Sequence, residues 1–149
     1  SLNKTGIVIQ LHIVSMFLPS LITGNLLKKF GHSKIIYAGV FFNILTILLS
    51  FLEPSFFSYL FSLIFLGIGW NFLYLSGTGL LVLSYKEKEK FKAQGFNDIL
   101  VFSIQALASL SAGYMLSMTS WKTMNLIVIP FLLVIVLSSI RADLSRDSK

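Results

Sequence analysis

Gly24-Asn25-Leu26-Leu27-Lys28-Lys29-Phe30-Gly31-His32-Ser33-Lys34 is a short basic stretch caught between two long apolar runs. Ile7 to Leu27 precedes it and Ile35 to Leu52 follows, each near the ~20 residues that an apolar helix needs to cross a bilayer. The stretch is therefore read as a tight loop between two membrane spans. Each lysine would cost about 3 kcal/mol in hydrocarbon, so the loop marks an aqueous face, taken as the cytoplasmic one.

Composition sets the class. The 149 residues are 55% hydrophobic and 12% charged, with 14 Phe, and the mean hydropathy of +0.82 lies far outside the range of soluble domains. The expected fold is an all-α membrane protein. Cysteine is absent and there are two histidines, so thiolate chemistry is excluded and a histidine metal site is disfavoured. No cofactor is implied. The chain starts with Ser1, and its apolar run opens six residues later without a basic leader or a cleavage site. That argues against a signal peptide and fits a chain cut from something longer.

The first span, 7–27, carries His12, Ser15, Met16, Pro19 and Thr23 on one helical face. Pro19 is expected to kink it. His12 either meets a solute or proton, or hydrogen-bonds between packed helices. The second span, 35–52, is polar only at Asn43, Thr46 and Ser50 and reads as lipid-facing, with Asn43 as interhelical glue. Glu53-Pro54-Ser55 ends it, with Pro54 placed to start the next helix at its first turn.

The third span, 56–83, is longer than a bilayer core requires. At mid-depth Gly67, Trp70, Asn71, Tyr74 and Thr78 share a face, presenting two aromatic rings, an amide and a hydroxyl. Such a face suits a solute cavity, and it equally suits helix packing. Lys86 to Gly95 reads as a solvated linker. The fourth span, 98–118, is expected to be capped by Asn97 or Asp98. Gln105 is its best cavity group, and Ser109/Gly113 and Ala108/Ala112 are close-packing pairs. The fifth, 124–140, has Trp121 as an interfacial anchor, a kink at Pro130 and a polar, frayed tail at 141–149.

Five spans sort the twelve basic residues ten to two. Lys28, Lys29, Lys34, Lys86, Lys88, Lys90, Lys92, Arg141, Arg146 and Lys149 share one side, and Lys4 and Lys122 the other. The positive-inside rule then puts the N-terminus outside and the C-terminus in the cytoplasm of a multi-pass inner-membrane protein. The net charge of +6 needs no nucleic-acid partner.

Gly24, Leu26, Lys28, Lys29 and Gly31 resemble the signature loop of the major facilitator superfamily, Gly-x-Leu-x-Asp-Arg-x-Gly. Lys28 stands where that family has Asp and Lys29 where it has Arg, which matches the degraded copy in the family's second half. Glu89-Lys90-Phe91-Lys92-Ala93-Gln94-Gly95 is similar to the family's loop between helices ten and eleven. Gly69-Trp70-Asn71 and the run from Asn97-Asp98 to Ala112-Gly113 are similar to helices ten and eleven of bacterial permeases. The resemblance implies a partial major facilitator bundle, helices eight to twelve, with the N-terminal half of the permease as its missing partner.

What it implies for function is secondary active transport of a small solute by alternating access. His12, Trp70, Asn71, Tyr74 and Gln105 are the cavity candidates, taken from face and depth. A coupling proton stays open as a partner, since no buried carboxylate is evident. A membrane enzyme is disfavoured because His12 and Asp98 lie far apart. A small scaffold or partner subunit is the alternative, and it leaves both family-like loops as coincidence.

Overall fold

Proline sets the first boundary. The computed structural model describes residues 2–147, and in it the first span is two helices, α1 (Leu2–Phe17) and α2 (Ser20–Phe30). Pro19 has no N–H for the Ser15 carbonyl, so the helical ladder lapses there. The N–H groups of Ile22 and Thr23 both turn to the Pro19 carbonyl at 2.9 Å, and α2 starts afresh.

α2 also runs further than the loop reading allows. Gly24 to Phe30 are helical, and Gly31 alone makes the turn into α3 (His32–Leu49). Gly31 has φ 83°, a region that costs glycine little and other residues more. Gly24, Leu26, Lys28 and Lys29 therefore ride on the last turns of α2. The two lysines face its negative dipole end, where cations are favoured.

The lipid-facing expectation for the second span is overturned. Of the 18 residues of α3, 39% are buried, the largest share of any candidate span. Ile36, Val40 and Ile47 form a core with Leu132. α3 crosses α4 (Phe56–Val82) at paired glycines, where a Cβ on Gly69 would lie 3.0 Å from the Gly39 carbonyl oxygen. Asn43 lies against Gly69 but donates to its own helix, at the Gly39 carbonyl, 2.9 Å away. Thr46 and Ser62 fasten the same pair, with Thr46 Oγ1 donating to the Ser62 carbonyl at 3.0 Å.

α4 matches its expected span to within one residue. Ser55 caps it, accepting the Ser58 N–H at 3.1 Å and returning its own N–H to Ser58 Oγ at 2.8 Å. That reciprocal box satisfies two free helix-end groups. Pro54 thus precedes the cap and does not occupy the first turn.

The fourth span needs a larger correction. A 3-10 turn at Glu87–Glu89 leads into α5 (Lys90–Met118), so much of the charged run read as a linker is helical. Asn97 and Asp98 consequently lie two turns inside the helix and cap nothing. The small-residue pairs do not make their expected contacts either: Ala108, Ser109 and Gly113 are exposed, and nothing approaches a Cβ on Gly113 within 4 Å.

The last span is α6 (Trp121–Leu126) and α7 (Ile129–Asp147), broken just before Pro130. α7 stays helical through Asp147, so the tail is not frayed over the described residues. Asp143 is held there by hydrogen bonds from Ser33 Oγ and, at 3.2 Å, from Tyr37 OH. These contacts bring the end of α7 to the start of α3, while the His32 ring lies over Gly79 near the end of α4. At the opposite end Lys4 sits 5.7 Å from the Phe56 ring and Lys122 5.7 Å from the Phe51 ring. Among the described residues, five stretches are long and apolar enough to cross a membrane.

Candidate functional site

The apolar spans meet unevenly. α4 is packed closely by α3 and α1 on two sides, whereas α5 touches it lightly and none of its most apolar window is buried. A crevice therefore runs between α4 and α5. Along α4, Tyr59, Leu63, Trp70 and Tyr74 recur at helical spacing on one face. Along α5, Asp98, Phe102, Gln105 and Leu116 do the same.

Aromatic rings line this crevice midway along α4. Trp70 and Tyr74 stack in parallel, 4.8 Å apart and 9° from coplanar, as side chains four residues apart on a helix can do. Phe17 of α1 closes on Trp70 edge-on at 6.1 Å, and Phe102 of α5 meets Tyr74 at 6.2 Å. Trp70 and Tyr74 stay partly accessible, so the rings form a wall and not a filled core.

Polar groups flank the wall on the α5 side. Asp98 Oδ1 accepts from Tyr74 OH at 3.4 Å and from Asn97 Nδ2 at 3.3 Å. A carboxylate inside an apolar span needs such donors. Gln105 lies two turns further along the same face, and its Oε1 is buried without a hydrogen-bond partner. Sequence spacing alone, four and then three residues from Asp98 through Phe102 to Gln105, carried this stripe. Phe17 and Phe102 are not singled out by the sequence pattern, being two of 14 Phe, and Asp98 reads as a cap.

The other candidates lie elsewhere. Asn71 is 1% exposed and points away from the crevice, into the break between α1 and α2. Its Nδ2 donates to the Met16 carbonyl and to Ser20 Oγ, both at 2.7 Å. Its Oδ1 accepts from Thr23 Oγ1 at 2.9 Å, a hydroxyl that also reaches the Pro19 carbonyl at 2.8 Å. His12 Nδ1 donates to the Leu63 carbonyl at 2.7 Å, since a carbonyl only accepts, and this fixes the ring's tautomer if it is neutral. Trp70, Tyr74 and Gln105 are thus gathered along one crevice, with Asn71 and His12 spent on the α1–α4 interface.

A cavity of about 620 Å³ opens at the end that carries Lys4 and Trp121, bounded by Val8, Tyr59, Leu63 and Leu116. It lies on the same faces of α4 and α5 as the ring wall. Among the described residues, no three histidine or acidic side chains gather as a metal site would need.

Comparison with known proteins adds a family and relatives. The chain matches the Major Facilitator Superfamily model over residues 1–147. It is 36% identical over 139 residues to "Riboflavin transporter RfnT" of Brucella anthropi, covering 91% of this chain and 34% of that protein. Two uncharacterized MFS-type transporters of Bacillus subtilis, YddS and YdeG, are 32% and 33% identical, over 84% and 85% of this chain and 29% and 30% of their own lengths. The chain thus spans about a third of the curated relatives it matches. No solved structure matches it significantly.

Proposed function

Because the chain belongs to the major facilitator superfamily, we propose that it is part of a permease that carries a planar, ring-bearing solute across a membrane by alternating access. A flavin is the solute class best supported. The observation that carries this is the parallel Trp70–Tyr74 stack at mid-span, flanked by Phe17 and Phe102, in a chain whose relative is named for riboflavin. A flat heteroaromatic ring gains ~1–3 kcal/mol by lying on an aromatic side chain. The five spans then correspond to helices eight to twelve, and the first half of the permease supplies the opposite wall of the path.

The test is riboflavin uptake by a riboflavin-requiring strain that expresses the whole natural permease of which this chain is a part. Trp70→Ala and Tyr74→Ala are expected to raise the KM about tenfold or more while surface amounts hold. Uptake indistinguishable from that of the vector alone sinks the flavin reading. Asp98, the carboxylate beside the rings, is the group assigned to a coupling proton. An inward proton gradient should stimulate uptake by the natural chain and not by Asp98→Asn; equal stimulation removes that role.

Orientation follows from charge. The loop end, rich in lysine, is assigned to the cytoplasm and the Lys122 end to the outside of the inner membrane. In intact cells a cysteine at Lys122 should react with an impermeant maleimide, and one at Lys88 should react only after lysis. The reverse pattern inverts the topology.

A further inference from the structure

The crevice holds one polar group that the protein itself leaves unanswered. Gln105 Oε1 is buried and bonds to nothing, although a buried amide oxygen without a donor is costly. It sits on the α5 face that carries Phe102, whose ring meets the Tyr74 of the stacked pair. The neighbours on that face supply no donor: Asp98 lies two turns away and its Oδ1 accepts from Tyr74 and Asn97, Phe102 has none to give, and the Ser109 hydroxyl, one turn on, makes no bond to it. Ser76 Oγ, the other unpartnered buried oxygen, is fully enclosed at 0% exposure, whereas Gln105 is partly open. Of these two residues among those described, only Gln105 has an open part, and turning its amide exchanges the buried oxygen with the nitrogen.

We infer that Gln105 reads the imide edge of the transported ring, accepting its N–H with one amide atom and donating to an adjacent carbonyl with the other. This rests on the transport reading above. The amide's oxygen and nitrogen exchange places by a flip about the last side-chain bond. The matching edge must therefore offer a donor next to an acceptor, whichever way the amide is turned. The dione ring of a flavin has that pattern, an N–H between two carbonyls, at the end of the ring system away from its methyl groups. A flat ring extending the Trp70–Tyr74 stack on its outer face presents such an edge sideways, toward α5. Rings without an N–H beside a carbonyl leave Gln105 buried and unpaired, so Gln105 acts as a specificity residue more than as a source of affinity.

The experiment compares uptake of riboflavin with that of N3-methylriboflavin, in which the ring N–H is blocked, within each variant. The ratio cancels differences in expression. The natural chain should prefer riboflavin by about tenfold or more, and Gln105→Leu should bring the ratio close to one. Gln105→Asn, which keeps the amide but withdraws it by one carbon, should fall between. Because Gln105 Oε1 bonds to no protein group, Gln105→Leu should also leave the unfolding midpoint of the purified protein unchanged or raise it. Equal uptake of both flavins by the natural chain overturns the assignment while leaving transport intact. So does a preference that survives in Gln105→Leu, or a midpoint that falls with the ratio unchanged. No riboflavin uptake by the whole natural permease overturns the transport reading, and the assignment with it.

Discussion

Gly67→Ala is expected to destabilise the bundle by about 3 kcal/mol, the upper part of the range for overpacking a tight contact. A Cβ at Gly67 would lie 2.0 Å from Ser15 Oγ, 2.8 Å from the His12 carbonyl oxygen and 3.0 Å from the Met16 backbone nitrogen. Ser15 can rotate away only by giving up its bond to the His12 carbonyl. The other two obstacles are main chain, so α1 itself has to retreat from α4. That retreat would loosen the His12–Leu63 and Asn71–Met16 bonds, which cross the same interface. Unfolding of the purified protein in mixed micelles, followed by circular dichroism, measures the loss. Gly77→Ala is the control, because nothing lies within 4 Å of its Cβ, and alanine there should be neutral or stabilising by up to ~1 kcal/mol. Equal midpoints for the two variants would mean that α1 and α4 do not approach at Gly67 as described.

Asn71→Leu is the second large effect. Three interhelical hydrogen bonds end on this amide, and at ~0.6–1.7 kcal/mol each in a bilayer they total about 2–5 kcal/mol. The leucine would also strand the polar groups that the amide satisfies at the Pro19 break. Thr23 Oγ1 retains the Pro19 carbonyl, so the Met16 carbonyl and Ser20 Oγ bear most of the loss. Asn71→Asp separates the contributions, since it keeps an acceptor for Thr23 and removes both amide donors. Both variants should lower the unfolding midpoint and reduce the amount of protein that survives extraction. A variant that keeps its midpoint but binds solute poorly would move Asn71 from the helix junction to the solute path.

Asn71 illustrates where sequence reading stops. Asn71 follows Trp70 directly and lies near the same face on a helical wheel, so both were assigned to one mid-depth surface. The actual faces differ because α1 breaks at Pro19 and brings Ser20 and Thr23 against Asn71, while Trp70 turns to Phe17 and the crevice. The proline was visible; the partner of its break was not. Asp98 is a parallel case. A carboxylate at the edge of an apolar run resembles a helix cap, yet the preceding charged residues are good helix formers and carry α5 back to Lys90. Its neighbour Tyr74 lies 24 residues earlier, a pairing that no local pattern encodes.

By itself the sequence determined the class, the five stretches apolar enough to span a membrane and the family resemblance. All of these depend on transfer from water to hydrocarbon or on local motifs, which are properties of contiguous residues. Only the tertiary structure decided which spans are inside. Hydropathy cannot distinguish a helix that faces lipid from one that faces other helices, because both surroundings are apolar. α3, apolar nearly throughout, became the centre through the Gly39–Gly69 crossing and the Thr46–Ser62 bond, whereas α5 stayed at the edge with its small residues exposed. The same packing turned Asn71 and His12 into helix fasteners and gathered Trp70, Tyr74, Asp98 and Gln105 along one crevice, because the direction of a side chain depends on which neighbours have already closed around its helix.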